Sequence, residues 1–329
     1  GYFCDGIAEE ILNALTRIDA LRVAARSSSF RYRDASADAQ AVGRALNVDA
    51  VLEGSVRKSA NRLRVTAQLV HVEGGYDLWS RSYDDELEDV FAIQDEIATS
   101  IADALLQTLT PREQRSIRTA SSSDVNAYDY YLRGRQYFRH FRKTEIEHAR
   151  SMFRHAIDLD PDFALAWAGY ADCHSLLVMY ADPNPEYAAV ATRASGRALE
   201  LDPGLAEAHA SRGLASLVSK DFAMAEREFR EALAINDGLF EAYYYYARTR
   251  FHQGDMDSAA ELFARAAEAD PTDYQSRCLR AQILRGAGHI DAARSEAEKA
   301  VEIVEKNLEW SPDDARAFHL GAGSLNILG

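Results

Sequence analysis

The stretch "AEREFREA", residues 225 to 232, sets a small residue first, an aromatic one four positions later and a second small one three further on. On a helix those three positions share a face. The same arrangement stands at 149 to 156, "ARSMFRHA", and at 259 to 266, "AAELFARA". Reading outward, alanines recur at Ala149, Ala191, Ala225, Ala259 and Ala293, at intervals of 42, 34, 34 and 34 residues. Seven residues beyond each stands another: Ala156, Ala198, Ala232, Ala266 and Ala300. A third row, Gly134, Ala171, Gly213, Ala247, Ala281 and Ala322, falls on the partner helices. Small residues are needed where two helices approach too closely for a larger side chain, and Phe153, Phe229 and Phe263 fill the volume beside them. Self-similarity at a fixed period of this length means stacked helical units, each covering the next.

From residue 125 to 329 the pattern resembles tetratricopeptide repeats, antiparallel helix pairs numbering about five and a half here, with "LDP", "LDP" and "ADP" at 159, 201 and 269 closing helices. Eight extra residues in the first interval, near "ADPNPEYA" (181 to 188), predict a longer loop between the helices of one repeat. Seven extra residues before Ser311-Pro312 predict a helix lengthened by two turns. The last helix, "DARAFHLGAGSLNILG", would leave an apolar face bare, so the natural chain is expected to continue past Gly329 or that end to pack on something else.

Residues 1 to 110 read differently. "VLEGSVRKSANRLRVTAQLV" (51 to 70) alternates cleanly, with Leu63, Val65, Ala67 and Leu69 on one face and Arg62, Arg64, Thr66 and Gln68 on the other, as in a β-hairpin packed on one side. "YDLWSRSYD" (76 to 84), after Gly74-Gly75, adds a third strand, and "LRVAARSSSF" (21 to 30) reads as a further one. Helical stripes run through Ile7, Ile11, Leu15 and Ile18, with Asp5 as expected N-cap, and through Ile93, Ile97, Ile101 and Leu105. A weaker helix covers roughly 38 to 47. A hairpin needs such helices, because alone it buries too little apolar surface. The fold class is therefore a small α+β domain (1–110), a polar linker (111–124) with a helix end near Pro111, and an all-α solenoid of tetratricopeptide repeats (125–329).

The runs "YFCDGIAEEILNALTRI", "LRVAARSSSF", "VDAVLEGSVRKSANRLRVTAQLV", "GGYDLWSRSYD" and "DVFAIQDEIA", in that order over residues 2 to about 106, resemble the TolB-like amino-terminal domain of bacterial signalling proteins. The resemblance implies an upstream adenylate cyclase or CadC-type winged-helix effector, a membrane span, and tetratricopeptide repeats behind the domain. One departure stands out: that domain opens with a strand before the "YF-DG" segment, and this chain starts after it with Gly1. The expectation is a missing edge strand or an upstream truncation.

The formal charge of −15 is spread evenly, with 11 basic against 18 acidic residues over 1–110 and 26 against 34 over 111–329. That argues against general affinity for nucleic acid or anionic lipid. Arg57, Lys58, Arg62 and Arg64 form a local cationic exception at the hairpin, read as a solvated tip. Cys4, Cys173 and Cys278 are odd in number and far apart, so no disulfide framework is indicated. No run of about eighteen apolar residues is present, so any membrane attachment is expected through a segment outside this stretch.

No phosphate-binding loop, HExxH, CxxC or GxSxG motif occurs. His140, His148 and His155 lack carboxylates in metal-ligand register, and adjacent Cys173 and His174 diverge by about 100° on a helix. No catalytic residue, metal or cofactor is expected. The candidate site is a groove lined by first helices of the repeats: Tyr128, Tyr131, Arg135 and Phe138, then Asp172, then Tyr244, Arg248, Phe251 and His252, then Gln282 and Arg285. Tyr243 and Tyr246 read as packing. Rings and guanidinium groups suit a protein or peptide partner carrying acidic segments. The expected function is a non-catalytic binding and regulatory or sensory module of a bacterial signalling protein, cytoplasmic or on the outer side of the inner membrane. The alternatives are an envelope-assembly scaffold and the regulatory part of a larger adenylate cyclase.

Overall fold

A computed structural model describes residues 2–16, 18, 21–24, 29, 32, 38–59, 62–86, 90–105, 122, 124–138 and 142–329. The chain divides into two compact units, Gly1–Ser211 and Arg212–Gly329.

The first unit opens with helices α1 (Tyr2–Thr16) and α2 (Ala39–Leu46). Three strands follow, β1 (Ala50–Ser59), β2 (Arg62–His71) and β3 (Asp77–Glu86), and then α3 (Val90–Leu105). The strands form an antiparallel sheet in the order β1-β2-β3, with Val56 opposite Val65 and Val65 opposite Tyr83. Leu63, Val65, Ala67 and Leu69 are buried and Arg62 and Arg64 exposed, as the alternation required. Ile7, Ile11, Leu15, Ile93, Ile97 and Ile101 bury the helical stripes where α1 and α3 meet, whereas Leu105, closing its stripe, is exposed.

Two expectations need correction in this part. Helix α1 begins at Tyr2, so Asp5 lies inside its first turn rather than at the N-cap, a position where a carboxylate still meets the positive end of the helix. Leu21–Ala24 form no strand, while residues 25–28 and 30 of that segment lie outside the described residues. The cationic tip is solvated as expected, with Arg57, Lys58, Arg62 and Arg64 all exposed; Arg62 and Arg64 also pair with Asp84 of β3, and Lys58 lies 3.6 Å from Asp129.

The helix pairs begin with α4 (Val125–Phe138) and α5 (Lys143–Leu159), then α6 (Ala164–Tyr180) and α7 (Pro185–Leu201). The unit boundary falls inside α8 (Ala206–Val218). Most of the polar segment expected as a linker, residues 111–121 and 123, lies outside the described residues. Its Ser122 is buried, and the hydroxyl donates to Asp160 Oδ2 at 2.5 Å. Phe153 explains the small residues around it: a Cβ on Gly134 or on Gly169 would stand 2.7 Å from its ring. The extra residues near 181–188 do not form the long loop expected. Helices α6 and α7 are each 17 residues long, and only 181–184 separate them. Hydrogen bonding within a helix and burial of its face cost the chain less than an open loop would.

The second unit holds the rest of α8, then α9 (Phe222–Ile235), α10 (Phe240–Gln253), α11 (Met256–Ala269), α12 (Tyr274–Gly286), α13 (Ile290–Trp310) and α14 (Ala315–Leu328). Asp221, Asp255, Asp273 and Asp314 cap helix starts by accepting backbone N–H bonds from the first turn. In both units the "LDP" and "ADP" segments end helices as expected, because the carboxylates of Asp160, Asp202 and Asp270 accept the amide two residues on and turn the chain. Helix α13, at 21 residues, carries the two extra turns foreseen before Ser311. The small-residue row needs one correction at its end. Ala281 packs with Ala293, Ala297 and Ile327, but Ala322 is exposed, and the close approach in α14 is made by Gly321, where a Cβ would stand 2.8 Å from Val304.

Candidate functional site

The residues named for a groove divide between packing and surface. Tyr128 and Tyr131 are buried, and burial pushes both phenols well above their ordinary range. The Tyr128 ring meets Phe3 of α1 edge-on at 6.3 Å, and its hydroxyl accepts from Gln94 Nε2 of α3 at 2.9 Å. Tyr131 packs on Phe153 and Phe163 at ring separations of 5.8 and 5.0 Å. Arg135 donates to Glu9 of α1 at 2.6 Å. Lys58 of β1, besides facing Asp129, sits 4.9 Å above the Phe3 ring. These positions are therefore not an open groove surface. They are the seam on which the α+β elements seat the first repeat helix, because two large rings and an arginine beside apolar α1 gain more from burial and pairing than from solvent. Phe138 at the end of α4 and Asp172 on α6 are half-buried.

In the second unit Tyr244 is also buried. Its hydroxyl donates to Gln275 Oε1 at 3.3 Å and accepts from Arg316 Nη2 at 3.1 Å, and its ring is edge-on to Phe263 at 5.7 Å. Tyr246 is buried and Tyr243 half-buried, so both serve packing. What reaches solvent is the end of α10. Phe251 is 47% exposed, His252 beside it is exposed, and the imidazole stacks on Phe222 at 6.2 Å. Partial burial, then the charges of Arg248 and Lys220, hold His252 below its ordinary pKa. On α12 Gln282 and Arg285 are exposed, and Arg285 donates to the Asn326 carbonyl at 3.3 Å.

Sequence reading passed over a second cluster, Arg150, Tyr170, His174 and Tyr187 on α5, α6 and α7. The available signal was the insertion at 181–188, which contains Tyr187. Cys4, Cys173 and Cys278 are free thiols. Among the described residues no three His, Cys, Asp or Glu side chains gather as metal ligands do, and no helix is long and apolar enough to cross a membrane.

The family model for the tetratricopeptide repeat matches residues 217–283, the stretch that holds the exposed end of α10. A protein of Rhizobium meliloti (strain 1021) named "Putative adenylate cyclase 3" is 42% identical over 168 residues, which is 51% of this chain and 29% of that protein. The matched stretch thus spans under a third of that relative's length. Among solved structures, TTC0263, a thermophilic tetratricopeptide protein of Thermus thermophilus, aligns with a TM-score of 0.47 at 15% identity, over 58% of this chain and 98% of its own. YrrB, described as a tetratricopeptide protein with an unusual peptide-binding site, aligns with a TM-score of 0.35 at 20% identity, over 59% and 90%. The fold is a small three-stranded antiparallel sheet followed by a run of helices, of which the stretch 217–283 matches the tetratricopeptide repeat.

Proposed function

We propose that this chain is a non-catalytic regulatory or sensory module of a bacterial signalling protein of the adenylate cyclase type, and that it binds a protein or peptide partner. The observation that carries the reading is the solvent-facing end of α10, Phe251 and His252 with Phe222, inside the segment that matches the repeat family. Repeat helices present such side chains on a rigid frame, so binding orders few groups. The relative bearing an adenylate cyclase name supports the signalling context. The α+β elements take the part of a TolB-like domain, and by seating α4 through Tyr128, Tyr131 and Arg135 they connect an upstream effector to the repeats. An array of short peptides probed with the purified chain tests this. The chain is expected to retain a discrete subset, and Phe251→Ala to weaken retention about tenfold. Absence of any retained peptide, or production of cyclic AMP from ATP by this chain alone, would overturn the reading.

A further inference from the structure

Two pairs of rings bridge α4 and α5 on one side of the helix pair. Tyr130 meets His155 at 5.1 Å between ring centres, and Tyr137 meets His148 at 5.4 Å, in the opposite order that antiparallel helices require. Seven residues separate Tyr130 from Tyr137, and seven separate His148 from His155, so each helix presents its two rings on one face. Two helical turns, about 10.5 Å, set the interval between the pairs. Tyr128 and Tyr131 on the same helix are committed to the core, but these rings reach solvent. Tyr137 is 38% exposed, His148 and His155 are exposed, and Tyr130 is half-buried. Among the described residues none of the four uses its hydroxyl or ring nitrogens in a hydrogen bond within the chain. Arg133, between the two tyrosines, lies 5.8 Å from the centre of the Tyr130 ring. Its side chain is 46% exposed, whereas that of Asp129, which it meets at 2.6 Å, is 14% exposed. Of that ion pair, the part turned to solvent is the cation.

Rigid rings with polar tips at a fixed interval suit a ligand whose contacts recur at that interval and whose backbone still needs donors. An extended β-segment repeats its same-side contacts about every 6.7 Å, out of step with the two ring pairs. An α-helix repeats at about 10.5 Å, but its carbonyls are bonded within itself and leave the hydroxyl and imidazole donors without acceptors. A polyproline II segment advances about 9.3 Å per turn of three residues and leaves every carbonyl open. We propose that Tyr130, Tyr137, His148 and His155 form a docking strip for a proline-rich segment in the polyproline II conformation, with Arg133 taking an acidic side chain of that segment. Such a ligand is already ordered and loses little freedom on binding, so a shallow strip suffices. Single-stranded nucleic acid also stacks on rings, but its phosphates would meet a chain of formal charge −15. The strip belongs to the first unit and does not depend on peptide binding at α10.

The test follows the fluorescence anisotropy of three labelled probes titrated with the purified chain: a peptide of Pro-Pro-Asp repeats, one of Ala-Ala-Asp repeats, and oligouridylate. The Pro-Pro-Asp peptide is expected to bind saturably, and the Ala-Ala-Asp peptide about tenfold more weakly or less. Tyr137→Ala with His148→Ala, which removes one ring pair at exposed positions, is expected to weaken Pro-Pro-Asp binding about tenfold with the melting temperature little changed. Tyr137→Phe keeps the ring and loses the donor, so it reads the contact without disturbing the helix pair, and it is expected to weaken binding severalfold. Arg133→Ala is expected to flatten the salt dependence of that binding. No saturable binding of the Pro-Pro-Asp peptide, equal binding of the Ala-Ala-Asp peptide, tighter binding of oligouridylate, or an affinity untouched by both Tyr137 variants would overturn the proposal.

Discussion

The first and the last of the described repeat helices, α4 and α14, meet the same requirement in opposite ways. Each presses a small residue against its own neighbour, Gly134 on Phe153 in one and Gly321 on Val304 in the other. Each also carries a second apolar face. On α4 that face is closed by α1 and α3, which cover Tyr128 and engage Arg135. On α14 Phe318 and Leu325 remain 54% and 55% exposed. A repeat helix is thus apolar on two sides, and only one side is satisfied within its own pair. The lesson is that the α+β elements act on the first repeat as a structural neighbour would, so a change in them is felt by the repeat directly.

The sharpest way to break this comparison is Tyr128→Ala. Removing a fully buried ring that meets Phe3 of α1 and Gln94 of α3 should cost about 3–5 kcal/mol, read as a lowered urea midpoint. A change under about 1 kcal/mol would mean that the seam is not a packed core. A somewhat smaller effect is expected from acid at His174. Burial, then the charges of Arg150 and Arg193, lower its pKa from 6.5 to about 4. The folded state therefore keeps the ring neutral while the unfolded chain takes up a proton. The stability is fully present above pH 6.5 and is lost as pH falls from 6.5 through 4, by roughly 3 kcal/mol. The difference between wild type and His174→Phe, measured by denaturation across that window, should carry this slope; parallel profiles would contradict it.

Glu9→Ala and Arg135→Ala test the charged contact of the seam. Each single change should cost about 1–3 kcal/mol, because it leaves its partially buried partner unmatched, and the double change should cost less than the sum. Strict additivity in the cycle would show that the pair contributes nothing of its own. The smallest effect belongs to the other end. Phe318→Ser with Leu325→Ser should alter stability by no more than about 0.5 kcal/mol per site, as befits exposed positions. A loss of several kcal/mol in the isolated chain would show that the face is covered in solution and would erase the contrast with α4.

Much of the architecture was legible beforehand because it rests on local periodicity. The alternation around Leu63 to Leu69 can only bury one face, and the A-x-x-x-F pairs can only pack where helices lie close. Asp160, Asp202 and Asp270 turn the chain by bonds to residues two positions away, which is also local information. The candidate site was less legible. Tyr128, Tyr131 and Tyr244 were placed by repeat register alone, and register says which way a side chain points without saying what stands there. Phe251 and His252 came through because the end of α10 stays exposed even with the Phe222 ring of α9 against the imidazole. The insertion at 181–188 was visible as eight residues, but whether they would loop out or extend helices depended on what Tyr187 could pack against.

By itself the sequence determined the α+β opening, the period of the helix pairs, their caps and the extra turns before Ser311, since each follows from neighbours along the chain. Only the tertiary structure decided that Arg135 belongs to Glu9, that Tyr244 is roofed by Gln275 and Arg316, and that His174 is buried between Tyr170 and Tyr187. Charges and hydroxyls take their partners from whatever folding brings within about 3 Å, and sequence spacing carries no record of that.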